Sequence, residues 1–289
     1  MLYTKYSPKS ESGLINILLS FILMFIIAAF LGWLYNLNTF IPIVYFNFLF
    51  TIGFGFAIAF STQIIGKFLK IKKRKTRLYI AIFGALIAYY SSWIAFILFM
   101  VLGSFPNLND FFSYFIYPLN FFNIIAEMNR YGTWGIGFIR DAYVNGYPLT
   151  VVWIVEAFII FFIPIAYTYK FPENPYSEKK NKWYNKLLLN YEFASVYSEN
   201  RFLENLKQNG IELILNMERG LPYKYAAFSI FFLEGEDNQY LSIDNIFIEV
   251  RNKSKKNVTP ILTPIKISNE EAKKLISKFG TKKEFFLDF

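Results

Sequence analysis

The sequence predicts an α-helical membrane bundle of four transmembrane helices plus an outer interfacial helix. A C-terminal cytoplasmic α+β domain with an antiparallel sheet and two helices is expected to follow. Three observations carry this reading. Of the 289 residues, 55% are hydrophobic and 21% aromatic, and mean hydropathy is +0.32, above the range of water-soluble domains. Four apolar stretches reach the roughly 20 residues that a helical bilayer crossing needs. Charge is also segregated: Lys and Arg number 11 before Tyr169 and 19 after it, while Asp and Glu number 5 and 16.

The predicted spans are 13–35, 40–65, 78–102 and 149–169. The first apolar run is about 23 residues long and lacks a small-x-small cleavage site, so it reads as an anchored span rather than a signal peptide. The remaining order is a membrane domain over 1–170, a juxtamembrane linker over 171–190 and a soluble domain over 191–289.

Orientation follows from the basic residues in short flanking loops. Between the second and third spans lies "KFLKIKKRKTR", with Lys67, Lys70, Lys72, Lys73, Arg74, Lys75 and Arg77. This topogenic loop is expected on the cytoplasmic side. Lys5 and Lys9 in the leader agree with it, as do Lys170, Lys179, Lys180 and Lys182 after the fourth span, so both termini are expected to be cytoplasmic.

Small residues one helical turn apart mark the first three spans: Ala28 and Gly32, Gly53 and Ala57, Gly55 and Ala59, Ala81 and Ala85, Gly84 and Ala88. In lipid such pairs let helix backbones approach, and tight packing within one chain is the expected use.

Outside the spans, "PLNFFNIIAEMNRYG" (118–132) starts with proline and ends with glycine. It places Phe121, Ile124, Ile125 and Met128 on one helical face, which predicts a helix lying on the outer leaflet. The following "GTWGIGFIRDAYVNGYP" predicts a structured turn. Its glycines are no phosphate loop, because no strand precedes them and no Lys-Ser/Thr follows.

In the soluble domain, Ser198 and Gly210 bracket a helix near 199–208. Strands are expected over 211–217, 223–233, 240–250 and 258–267. "SNEEAKKLISKFG" predicts a last helix, with Ser268 and Glu271 spaced as a capping box.

Cysteine and histidine are absent. This removes disulfides, thiolate nucleophiles, imidazole bases and the zinc or haem sites built on them. The acids Glu212, Glu218, Glu234, Glu236, Asp237, Asp244 and Glu249 show no metal-ligand or acid–base spacing. No catalytic residue, metal or other cofactor is expected, and no nucleic acid is expected as a partner.

The polar position that stands out is Glu156, inside the apolar run "TVVWIVEAFIIFF". A carboxylate at that depth costs about 2.5–3.5 kcal/mol unless it is protonated, hydrated or paired. Counted at about 1.5 Å per residue from the outer ends of their spans, Ser91 and Ser92 lie near the depth of Glu156. They are its expected partners, with Arg130 and Arg140 within reach from the outer segment. Gln63 and Pro164 are weaker features of the same kind. Hydrogen-bonding glue inside the bundle, a proton or cation site, and a latch for an outer-face ligand are the readings open to Glu156.

The run from "GTWGIG" to "VVWIVEAFII", followed by "PENPYSEKKNKW", resembles a family of uncharacterised bacterial four-span inner-membrane proteins. That resemblance implies a post-span segment with two cysteines and a tryptophan. Here Trp183 matches, while Ser177 and Lys180 stand at the cysteine positions, so no metal clip carries over. The resemblance implies a multi-pass protein of the bacterial inner membrane and no known activity.

The expected role is that of a non-catalytic interaction or assembly subunit. It would be embedded in the lipid bilayer and bind a protein partner or a second copy of itself. A transporter or channel component using Glu156 and an immunity or defence membrane protein are the alternatives.

Overall fold

The computed structural model describes residues 3–8, 12–37, 44–103, 107–116, 119–132, 144–170, 174–249 and 256–282. The chain divides into two compact units. One is Glu11–Phe171, and the other joins Met1–Ser10 to Pro172–Asp288.

The first unit is helical, with α1 (Leu14–Tyr35), α2 (Val44–Phe68), α3 (Arg74–Leu102), α4 (Leu108–Ile116), α5 (Leu119–Tyr131) and α6 (Gly146–Lys170). Among the described residues, four helices are long and apolar enough to cross a membrane: α1, α2, α3 and α6. They leave Ile22, Ile26, Phe30, Phe158 and Phe162 exposed. Such faces suit lipid rather than water.

The helices pack as two parallel pairs. Along α1 and α3, Phe21 meets Phe83 edge-on at 5.2 Å. Three residues further along α1, Met24 fills the space over Gly84, and near the end Gly32 lies against Ala88, Ser91 and Ser92. Ala28, Ala81, Ala85 and Ala88 are buried along the same face, so small residues let these backbones approach. Between α2 and α6, Gly55 faces Ile159 and Ile163. The Gly53 and Ala57 pair makes no such approach, because nothing lies within 4 Å of a Cβ at Gly53.

The basic loop is shorter than the sequence predicts. Lys67 belongs to the last turn of α2, and Arg74, Lys75 and Arg77 belong to α3. Lys and Arg are good helix formers, so the helices run on past their apolar segments. The turn between them is fixed by Ser12, whose hydroxyl donates to the Lys70 carbonyl at 2.8 Å and accepts from the Lys72 amide at 3.1 Å. Arg77 Nε donates to the Ile71 carbonyl at 2.7 Å.

The helix expected over 118–132 is present as α5, with Phe121, Ile124, Ile125 and Met128 partly buried in one stripe. The sequence did not separate α4, whose Phe111 is buried against Ile94, Ala95 and Leu98. Most of the expected turn over 132–148 lies outside the described residues. The last long helix begins at Gly146, three residues earlier than predicted, with Pro148 in its first turn, where a missing N–H costs nothing.

The second unit contains a hairpin of β1 (Tyr176–Ser177) and β2 (Lys182–Trp183). Its main sheet is built from β3 (Asn185–Leu189), β4 (Lys224–Phe232), β5 (Asn238–Ile248), β6 (Lys256–Ser268) and β7 (Thr281–Lys282). The five strands run antiparallel in the order β6-β5-β4-β3-β7. Helices α7 (Glu199–Asn209), α8 (Glu212–Leu215) and α9 (Asn269–Phe279) complete it. Phe202, Leu206, Ile214 and Leu275 from these helices bury Phe228, Ile230, Leu241 and Ile243 of the sheet.

Two expectations are corrected. Residues 211–217 form the single turn α8 instead of a strand. Ile211 and Ile214 both face the core, which the three-residue spacing of a helix allows and the alternation of a strand forbids. Residues 171–190, expected as a linker, carry β1, β2 and β3. The short run "KLLL" shows no period by itself and becomes a strand through its pairing with β4.

The N-terminal segment also belongs to this unit. Lys5 bridges Ile265 antiparallel, the Tyr6 amide donates to the Pro264 carbonyl at 2.7 Å, and the Lys266 amide donates to Thr4 at 2.8 Å. The segment therefore lies along the outer edge of β6. That strand carries Pro260 and Pro264, residues that an edge accommodates and a central strand does not. A Lys5–Glu199 ion pair at 2.9 Å and edge-on packing of Tyr6 on Tyr240 at 5.1 Å hold it. The Tyr3 phenol donates to Glu271 Oε1. The other Glu271 oxygen accepts from the Ser268 amide at 2.8 Å, closing the predicted capping box.

Candidate functional site

Glu156 lies ten residues into α6, about 15 Å from its start at 1.5 Å per residue. Its Oε1 hydrogen-bonds the hydroxyl of Tyr35, the last residue of α1, at 2.5 Å. The same hydroxyl is 2.7 Å from Thr51 Oγ1 on α2, and Thr51 in turn donates to the Asn47 carbonyl one turn back at 2.8 Å. The Tyr35 ring stacks on Phe54 with centroids 4.5 Å apart and planes inclined by 14°. On α3, Tyr89 meets Phe161 of α6 edge-on with ring centres 6.0 Å apart. Beyond it, Trp93 meets Trp153 edge-on at 4.9 Å. Side chains of α1 and α2 thus meet the α6 carboxyl in one connected polar group.

A second polar contact joins the same pair of helices. Gln63 Nε2 donates to Thr168 Oγ1 at 3.1 Å. Thr51 and Glu156 are 105 residues apart in sequence, as are Gln63 and Thr168. A constant offset at two heights is the signature of parallel helices in register. Gly55 sits between the two contacts and lets the backbones close.

The expected serine partners lie elsewhere. Ser91 is fully buried, and its hydroxyl has no hydrogen-bond partner among the described residues. Ser92 donates to the Tyr89 carbonyl at 2.7 Å, and its own carbonyl accepts from Asn36 Nδ2 at 3.1 Å. Both serine positions serve the α1–α3 approach. Arg140 lies outside the described residues. Arg130 is exposed, its guanidinium 5.8 Å from the Tyr131 ring centre. Pro164 is buried within α6 without ending it. Sequence reasoning missed Tyr35 because the chain has 21 tyrosines, so no single one stands out. The depth comparison looked to α3 when the partners sit on α1 and α2.

The second unit has its own candidate feature, at the end of the sheet where β4 starts and β5 finishes. Tyr197 is 83% exposed, Val258 53%, Leu221 52%, and Tyr223 and Phe247 45% each. Register places them at one end of the sheet, with Phe247 on the helix-covered face and Val258 on the opposite one. Lys224 pairs with Phe247, Ile246 with Val258, the Ile248 amide donates to the Tyr223 carbonyl, and Lys224 Nζ sits 5.0 Å from the Tyr197 ring centre. Large apolar side chains gathered at one end of a small domain are the composition of an interface core.

One of the acids named above, Glu236, takes part in a turn. Ser177 donates to Glu236 and accepts from the Lys180 amide at 3.0 Å, and Lys180 Nζ donates to the Glu234 carbonyl. Ser177 and Lys180 therefore close the β1–β2 turn through hydrogen bonds. Among the described residues no three Asp or Glu gather as metal ligands would.

Comparison of the chain with protein-family models, curated proteins and solved structures finds no match.

Proposed function

We propose that this chain is a non-catalytic, multi-pass subunit of a membrane complex, and that its second unit binds a protein partner or a second copy of the chain. The observation that carries this reading is the exposed group Tyr197, Leu221, Tyr223, Phe247 and Val258. Burying a few such side chains, at about 25 cal/mol per Å² of apolar surface, is the usual source of association energy. Lys224, beside Tyr197, adds a positive charge and favours an acidic rim on the partner.

In this reading the protein sits in the bacterial inner membrane with both termini in the cytoplasm. Two independent features support a common side for the termini. Residues 3–6 and the chain after Pro172 fold into one unit, which requires an even number of crossings. The basic residues from Lys67 to Arg77 lie at the turn between α2 and α3, and by the positive-inside rule such a turn stays in the cytoplasm. The resemblance to bacterial four-span inner-membrane proteins is part of the same proposal.

The test is crosslinking and co-purification of the full-length protein from native membranes. A specific partner or a second copy should be recovered with wild type. Recovery should drop at least tenfold with Phe247→Glu or Tyr197→Ala at unchanged protein level. A lone monomer from both wild type and variants refutes the proposal.

A second reading, a transporter or channel component, is favoured by one observation: Glu156 of α6 is hydrogen-bonded to α1 and, through Tyr35, to α2. It predicts flux in proteoliposomes that Glu156→Gln abolishes. Absence of flux for ions and protons in the wild type would remove it.

A further inference from the structure

We infer that Glu156 is a proton-binding site, occupied in this arrangement, and that its proton completes a one-way chain of hydrogen bonds through α1 and α2. Four oxygens stand in a row: Glu156 Oε1, Tyr35 Oη, Thr51 Oγ1 and the Asn47 carbonyl, with separations of 2.5, 2.7 and 2.8 Å. Each separation is hydrogen-bond distance, so three hydrogens must lie between them. Tyr35 and Thr51 own one hydroxyl hydrogen each, and a carbonyl owns none. Among the described residues the third hydrogen has one source, the carboxyl itself. With Glu156 protonated, it donates to Tyr35, Tyr35 donates to Thr51, and Thr51 donates to Asn47. Every hydroxyl then gives one hydrogen bond and takes one.

Removal of the proton leaves two hydrogens for three contacts. Tyr35 must turn its hydrogen toward the carboxylate, which needs it most. Thr51 then serves either Tyr35 or Asn47, and the other contact opens. Loss of the proton therefore weakens the joint between α1 and α2 or the local bond inside α2. Among the described residues, the titratable groups near Glu156 are Tyr35 from α1 and Tyr89 from α3, while α2 presents the neutral Thr51 and Asn47. Among the described residues no basic side chain bonds Glu156.

The test is infrared difference spectroscopy on the full-length protein in lipid vesicles at neutral pH, wild type minus Glu156→Gln. The expected result is the carbonyl stretch of a protonated carboxylic acid, lost completely in the variant and shifted in Tyr35→Phe, where the acceptor of its proton is gone. A difference spectrum showing carboxylate bands alone overturns the inference. If Glu156→Gln fails to fold, the comparison of wild type with Tyr35→Phe decides it. A carboxylic-acid band that shifts supports the site, and the absence of any shifting band refutes it.

Discussion

Tyr35 ends α1 and Glu156 lies deep in α6, yet across 121 residues of chain their side chains share a hydrogen bond of 2.5 Å. The link through Thr51 to α2 makes this the point where three helices are tied by polar groups. In an apolar surround, a broken hydrogen bond is not replaced by water, so the cost of removing one partner is large compared with the bond itself.

Tyr35→Phe is therefore expected to destabilise the helical unit by about 1–3 kcal/mol, the penalty for leaving a buried polar group without its partner. Glu156→Gln should cost less than Glu156→Ala, because an amide can still donate to Tyr35. Equilibrium unfolding in mixed micelles would rank the three. An ordering with Glu156→Ala as the mildest change would show that the contact contributes nothing to the bundle.

Close helix approach gives a second expectation. A Cβ at Gly32 would lie 2.6 Å from Ser91 Cβ and 2.9 Å from the Ser92 amide nitrogen. Overpacking of this kind typically costs about 1–3 kcal/mol, so Gly32→Val should lower the unfolding midpoint clearly. Gly53 has open space around its Cβ position, and Gly53→Ala should be neutral or stabilising by up to about 1 kcal/mol. Equal losses at both positions would contradict the α1–α3 packing.

The N-terminal segment yields a pH dependence. Burial, reinforced by its bond to Glu271, pushes the Tyr3 phenol above the ordinary tyrosine range. A group that holds its proton more tightly when folded contributes stability that is complete below its unfolded pKa. That contribution fades as pH rises through the folded value. The segment should thus release from β6 at alkaline pH, above about 10, and Tyr3→Phe should remove Tyr3's part of that dependence. Hydrogen exchange of the Tyr6 and Lys266 amides between neutral and alkaline pH, corrected for intrinsic rates, is the measurement. Protection unchanged up to pH values that unfold the whole unit would refute it.

Much of this fold was legible in the sequence, and the gaps have physical causes. The four long apolar helices were legible because about 20 apolar residues in a row have few other uses. The helices capped by Ser198 and Ser268 were found through their caps. Residues 185–189 and 211–217 were misread because runs of five to seven residues take their conformation from tertiary partners. Glu156 was recognised as unusual by its cost in lipid, but its partners were not. A hydrogen bond between Tyr35 and Glu156 depends on which helices neighbour one another, and hydropathy does not encode that. The pairing of residues 3–6 with β6 escaped notice for the same reason: its contacts span more than 250 residues of sequence.

For the exposed end of the sheet, Phe247→Glu is expected to leave the fold intact, since Phe247 is 45% exposed. Circular dichroism and the unfolding midpoint of the unit should stay within about 0.5 kcal/mol of wild type, the usual range for surface changes. A collapse of the fold would show that Phe247 is a core residue rather than part of a docking surface.

The claim on which the rest depends is that α1, α2, α3 and α6 cross a bilayer and return the chain to the side where it began. The chain contains no cysteine, so single cysteines can report sidedness without background. Ser7→Cys, Asn123→Cys and Tyr197→Cys should be probed with a membrane-impermeant thiol reagent on intact cells and again after permeabilisation. The expected result is labelling of Asn123→Cys in intact cells, and of Ser7→Cys and Tyr197→Cys only once the membrane is opened. Labelling of Ser7→Cys and Tyr197→Cys from opposite sides would contradict the account.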